Sequence, residues 1–327
     1  MIDVFAHIMP PAYVRDVLPH TTPATRAFAA GTRTLADLDE RFRLLDRYPG
    51  LRQVLTLAGP VEAAGPYSAT DVARIVNDGL ADLVSRFPDR FVAAAASLPA
   101  TSGEEMLAEA QRALAVPGIR GVEIFTPTAA GRPIDADEMM PLFEIMQEAD
   151  LPVWVHPRRE LLPDYPGEER SRYRVFGLWG WPYETTVAMT RLVMSGVFDR
   201  FPRLKVITHH CGGMVPAFHA RISTWYDYMA TSLKADYRKP LQRPVVEYFR
   251  LFYADTALNG NTAGLECGHA FFGASHLLLG TDMPFDCEMG DASIRDTLAS
   301  VQNMRVSEAD KALILSGNAR SLLRLEG

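Results

Sequence analysis

Ile2-Asp3-Val4-Phe5-Ala6-His7 decides how the rest of the chain is read. It is a short apolar run ending in an imidazole, as expected of a buried strand whose last residue reaches a functional face. The pattern recurs. Val153-Trp154-Val155 leads into His156, residues 205–209 into His210, and residues 276–280 into Asp282. Together with runs at 53–57, 91–97, 121–125 and 251–254 this makes eight strand candidates. Most are continuously apolar rather than alternating, which suits strands covered on both faces.

Helical patterns fall between the runs, at 35–48, 71–87, 103–114, 137–149, 184–197, 215–229, 262–272, 291–301 and 307–316. Strands alternating with helices predict an α/β chain, a (β/α)8 TIM barrel forming one domain over residues 1–327. An open doubly wound sheet is the rival, but the first strand is not followed by a Gly-rich phosphate loop. The connection at 160–183 is long and rich in Pro, Gly, Arg and aromatics. It is expected either to wall the mouth of the barrel or to make an oligomer contact.

The composition is that of a globular protein, with 48% hydrophobic and 22% charged residues. A net charge of -7 over 327 residues gives no footprint for nucleic acid. No polybasic run points to a membrane surface, and no apolar window is long enough to span one. Cys211, Cys267 and Cys287 are few, scattered and odd in number, which suits a reducing compartment. No signal peptide is legible at the N-terminus. A cytoplasmic protein is the expectation.

In a barrel, residues that end strands at the C-terminal face build the site. His7, His156, His210 and Asp282 therefore converge on one mouth. Imidazole and carboxylate suit Zn and related divalent ions. His7, His156 and Asp282 make a three-ligand set with an open position, and His210 is left as a general acid or base. A His-x-His pair at the first strand would complete such a site, but Phe5 stands where the first His would be, and Phe cannot ligate. Two states stay open: a bound divalent metal, Zn before Mn, or a metal-free mouth in which Phe5 fills the vacancy or packs on substrate. Arg158 and Arg159 follow the fifth strand and are candidates to clamp a carboxylate. Trp179 is a candidate to stack on a planar substrate. Each also has a plainer reading, as a solvated loop or as packing. Cys211 is read as a small residue beside the Gly pair, and Asp255 as an unspecified support.

These motifs carry a resemblance. Ile2–His7, Val153–Pro157, Thr208–Pro216 (Thr-His-His-Cys-Gly-Gly-Met-Val-Pro), Leu279–Phe285 and Ser316–Leu323 resemble the amidohydrolase superfamily over nearly the whole chain. The similarity is to its amidohydrolase-related branch of aminocarboxymuconate semialdehyde and resorcylate decarboxylases. It implies a metal-dependent barrel, with His156 a ligand, Asp282 a ligand or proton carrier, and His210 the catalytic imidazole. Neighbours on a strand alternate sides, so His209 is expected to face elsewhere. The branch has His or Glu where this chain has Phe5.

Three functions follow as expectations. The first is a metal-dependent decarboxylase of a small aromatic or unsaturated carboxylic acid. The second is a hydrolase of a lactone, amide or ester on the same barrel. The third is a metal-free binder on a decayed scaffold. A homodimer or larger homo-oligomer is expected from the resemblance.

Overall fold

A computed structural model describes residues 1–99, 101, 103–127, 131–158, 163–234 and 241–325. Eight parallel strands run in chain order: β1 (Ile2–Ile8), β2 (Arg52–Leu57), β3 (Phe91–Ser97), β4 (Ile119–Thr126), β5 (Val153–Pro157), β6 (Val206–Thr208), β7 (Tyr253–Asp255) and β8 (Leu277–Leu278). Beyond β8 the chain returns to β1 and closes the ring. Val4 N–H donates to Leu279 O (2.8 Å), Asp282 N–H to Phe5 O (3.0 Å) and His7 N–H to Met283 O (3.0 Å). The architecture is a (β/α)8 barrel, and all eight apolar runs become strands.

The helices that follow the strands are α1 (Leu38–Leu45), α2 (Ala69–Arg86), α3 (Gly103–Leu114), α4 (Met140–Ala149), α5 (Trp181–Met194), α6 (Val215–Thr231), α7 (Thr262–Phe272) and α8 (Asp291–Gln302). In α2, Val72, Val76, Leu80 and Leu83 form one buried stripe at helical spacing. Each such side chain contributes roughly 1.5–3 kcal/mol on burial. This helix starts earlier than the sequence suggests. Ser68 caps it by accepting from Asp71 N–H, and Asp71 reaches back to Ser68 N–H, so Asp71 is the third helical residue rather than the first. Likewise α5 begins at Trp181, not Glu184, because Pro182 suits a first turn. A helix at Pro23–Gly31, capped by Thr22, had no counterpart among the expected elements. No described helix is long and apolar enough to cross a membrane.

Two cores result. One packs the outer faces of the strands against the helices. The other fills the lumen with Val54, Ala93, Ala95, Trp154, Ile207 and Leu278 beside Val4 and Phe5. Trp154 spans this space, donating its indole N–H to Val4 O (2.9 Å). Gly121 makes room for it, since a Cβ there would sit 2.5 Å from the Trp154 ring. The lumen is a packed floor, so chemistry is confined to its upper rim.

A bulge in β1 aims residues at that rim. Asp3 pairs with Gln53 and Ala6 with Leu55, so three steps on β1 match two on β2. Val4 and Phe5, adjacent in sequence, both point inward as a result. Ala6 and Ile8 then face the helices, and Phe5 and His7 face the lumen. The fully buried Asp3 carboxylate holds the bulge, accepting from Phe5 N–H (3.1 Å), Thr281 N–H (3.0 Å) and Thr281 Oγ1 (2.6 Å). Burial pushes this carboxyl up to about 6, against the hydrogen bonds from Thr281 and Phe5 that favour its charge. Arg41 of α1, with no exposed surface, donates to His7 O (2.7 Å), Thr34 O (3.2 Å) and Gln53 Oε1 (3.0 and 2.8 Å) and so pins the end of β1.

Candidate metal centre

His7 from β1, His156 from β5, His209 just past β6 and Asp282 after β8 meet at the rim. One ligand atom from each lies within 4.8 Å of all the others. Asp282 Oδ1 stands 3.2 Å from His7 Nε2 and 3.3 Å from His209 Nε2. The His156 ring centroid is 5.1 Å from that of His7 and 5.3 Å from that of His209.

The place of His209 corrects the expectation that it faces away. The alternation rule holds, but its phase is set by Ile207, which packs inside the lumen. Residue 209 therefore points inward as well. His210 escapes the alternation because the chain turns there, with φ +52° at His210 and +51° at Cys211. Its ring leans over His209 at 4.0 Å, and its Nε2 lies 3.9 Å from Asp282 Oδ2. Asp282 is itself left-handed, at φ +57°. Three non-glycine residues in this costly region at one rim mark a site whose geometry the surroundings enforce.

The donors suit a divalent ion on grounds of tautomer. Each imidazole has its Nδ1 engaged: His7 with Leu57 O (3.1 Å) and Thr56 Oγ1 (3.0 Å), His156 with Pro157 O (2.7 Å), and His209 with the Asp255 carboxylate. An N–H at Nδ1 leaves each Nε2 with its lone pair. His7 Nε2 and His209 Nε2 are buried at contact distance from Asp282, yet neither makes a hydrogen bond of proper geometry among the described residues. Unsatisfied lone pairs converging with a carboxylate are what a cation requires. The same charges act on the protons of these groups. Burial pushes the His209 imidazole down, but Asp255 and Asp282 outweigh that and hold it up at about 10. Burial, with His7 and His209, drives His156 well below its usual value. Burial and His209 push His210 down to about 3, so it is neutral at working pH. Burial would raise Asp282, but His209 and His7 keep its carboxyl well below the usual range.

The Amidohydrolase family profile matches residues 2–325. The chain belongs to the amidohydrolase family. It is 32% identical over 302 residues to gamma-resorcylate decarboxylase of Polaromonas sp. (strain JS666), covering 90% of this chain and 89% of that one. It is 30% identical over 264 residues to 2-amino-3-carboxymuconate-6-semialdehyde decarboxylase of Dictyostelium discoideum, covering 80% and 69%. The crystal structure of dihydroxybenzoic acid decarboxylase from Polaromonas sp. JS666, with manganese and the inhibitor 2-nitroresorcinol, superposes with a TM-score of 0.78 at 29% identity, covering 99% of this chain and 96% of that one.

The remaining expected residues of this amidohydrolase scatter around the centre. Phe5 has no exposed surface and stacks on His209 with ring centroids 4.0 Å apart at 15°. It is the floor under the imidazoles, which corrects its reading as a substrate contact. Arg158 lies 3.4 Å from Glu62 and lines a cavity of about 490 Å³ with Tyr13, His20, Phe28 and Leu57. None of the four clustered side chains lines that cavity. It adjoins them through Leu57, whose carbonyl meets His7 Nδ1, and through Phe28, which stacks on Phe285 beside His7. Arg159 lies outside the described residues, as do 160–162 of the long connection. Trp179 is 63% exposed and lines a separate cavity of about 290 Å³ with Phe176, Tyr183 and Met214.

Sequence reasoning undervalued Asp255. Besides His209 it accepts from Cys211 N–H (3.0 Å) and Ala257 N–H (3.1 Å), so it fixes the turn that carries both histidines. Its place at the end of β7 was the available signal. Glu123 of β4 was missed. It is buried in the lumen wall, accepts from Leu57 N–H (3.2 Å) and Ser97 Oγ (3.3 Å), and burial pushes its carboxyl up to about 8.

Proposed function

We propose that this amidohydrolase is a metal-dependent decarboxylase of a small hydroxylated aromatic carboxylic acid. The observation that carries the reading is the set of three imidazoles and one carboxylate at the barrel rim, in a chain matched along most of its length by decarboxylases. His7, His156 and His209, each through Nε2, and Asp282 through Oδ1 would hold the ion. Bound there, the ion supplies positive charge that anchors the substrate carboxylate and a neighbouring ring oxygen. Three nitrogen donors and one oxygen favour Zn, with Mn the alternative.

The chain's own residues do the rest. Asp282 divides its oxygens: Oδ1 faces His7 and His209, and Oδ2 faces His210. Oδ2 is therefore free to carry a proton to the ring carbon that bears the carboxylate. The C–C bond then breaks, its electron pair returns to the ring, and CO2 leaves. One proton is taken up and one C–H bond replaces one C–C bond. Because Asp282 is held ionised, it carries the proton only in passing. The proton comes from solvent: the neutral His210, whose Nδ1 contacts Thr185 Oγ1 (3.3 Å), would take it as a base at Nε2 and hand it to Asp282 Oδ2, 3.9 Å away. Arg158, parted from Glu62, would balance a further anionic group on the ring.

The test combines metal content with turnover. Protein purified without chelator is assayed for bound metal and for CO2 release from a panel of hydroxybenzoates, beside Asp282→Asn. About one ion per chain and CO2 release lost in the variant support the reading. No CO2 from any acid after Zn, Mn, Co and Mg are each restored overturns it. Acid release from lactones instead would move the chain to the hydrolases.

A further inference from the structure

Glu123 is an ionisable group for which the reaction above has no use. Its neighbours Val122 and Ile124 pack toward the helices, and its cross-strand partners are Ser97 and Trp154. It therefore faces the lumen, in the layer below the imidazoles. The β2–β3 ladder stops at Leu55 and Ala94, so Leu57, which pairs with Ile8 of β1, has no partner on β3. Glu123 Oε2 reaches across β3 to accept that N–H and also takes Ser97 Oγ. Ser97 is itself held by Asn77, which accepts from its N–H (2.8 Å) and donates to its carbonyl (3.0 Å). The other oxygen, Oε1, is buried and has no partner among the described residues.

A glutamine would serve both donors as well and would avoid burying an acid. An acid with an empty oxygen is costly in such a place unless a positive charge stands nearby. The site above provides that place. A dication held by three neutral imidazoles and one carboxylate keeps a net positive charge, and Phe5 contributes nothing to offset it. Leu57, whose N–H Glu123 holds, also presents the carbonyl that meets His7 Nδ1.

We propose that Glu123 is the charge partner of the metal centre, a positioning residue in the lumen wall whose carboxylate strengthens metal binding without ligating the ion. The inference rests on the metal-centre reading. The experiment measures Zn and Mn affinity of the full chain by chelator competition for wild type, Glu123→Gln and Glu123→Asp, with the melting temperature of each metal-free protein. Glu123→Gln keeps the shape and an acceptor for Leu57, so its metal-free melting temperature stays level or rises. Its affinity falls at least about 10-fold, as for other groups just behind metal ligands. Glu123→Asp keeps the charge and recovers most of the loss. Affinity of Glu123→Gln within about twofold of wild type overturns the proposal, by the measure of that same expected loss. So does a variant that melts earlier while its folded fraction binds metal normally, which would make Glu123 a structural acceptor only. A wild type that binds neither ion overturns the metal-centre reading itself, and this inference with it.

Discussion

Asp255→Asn isolates the tautomer argument with little change of shape. Asp255 Oδ1 accepts from Cys211 N–H and Ala257 N–H, and Oδ2 takes the His209 Nδ1 proton. Asparagine keeps an oxygen for the two backbone donors, so the turn at His210 and Cys211 stays anchored. Its amide nitrogen replaces Oδ2 and can only donate. His209 must then turn Nδ1 into an acceptor and carry its proton on Nε2, where the lone pair toward the centre is lost. Groups of this kind change metal affinity by about 10–100-fold, or about 1.4–2.8 kcal/mol. The upper end is expected, because the nitrogen is disabled rather than merely loosened. Chelator competition with Zn measures the affinity, and circular dichroism checks the fold. A folded variant that binds Zn within about twofold of wild type, far short of that range, would refute the claim that Asp255 decides which nitrogen of His209 meets the ion.

Phe5→Ala removes a fully buried ring stacked on His209. Such a cut costs about 4 kcal/mol, and with about 2.1 cal/mol/K of unfolding entropy per residue over 327 residues the melting temperature drops about 6 °C. A drop under about 2 °C in a thermal melt, a third of that core-truncation cost, would mean that the ring is not packed as described. The pH response of the metal-free protein tests Glu123. Its folded carboxyl, at about 8, sits above the ordinary 4.5, so the folded state holds a proton that the unfolded chain releases between those values. Wild-type stability should fall as pH rises through that window, and the advantage of Glu123→Gln in melting temperature should widen from pH 4.5 to 8; a flat difference contradicts it. Thiol labelling of the native protein should modify Cys267 and Cys287 quickly and Cys211 only on unfolding, since Cys211 is buried and its thiol is pushed far up by burial and Asp255. Mass spectrometry finding Cys211 labelled in the first wave would count against the packing of the turn after β6.

The barrel was legible because its signal is coarse and redundant. A run such as Val153-Trp154-Val155 has one way to be buried on both faces, and eight such runs interleaved with helical stripes admit few topologies. The ends were less legible. β8 keeps only Leu277 and Leu278 because the chain beyond them bonds to β1 through loop backbone rather than as a strand. The Pro23–Gly31 helix carried its cap and its proline in plain view, but it buries only Ala29, so no apolar stripe announced it.

At the site, the residue types were legible and their directions only partly so. His7, His156 and Asp282 end apolar runs, and strand position alone brings them to the rim. The pair His209–His210 could not be assigned from motif alone, because its phase depends on which face of β6 is the lumen. Ile207 and Val206 are equally apolar, and only packing distinguishes them. The two readings at the centre are therefore linked. Reading Phe5 as a lost ligand left a donor short, while reading His209 as facing away removed the donor that stands against it. The structure puts the Phe5 ring flat against the His209 imidazole. At that spot the ring supports the imidazole just past β6 that the proposed function takes as a ligand, where a ligating side chain from β1 would compete with it for the same space. On the proposed reading Phe5 is no sign of decay but the packing partner of a fourth donor at position 209.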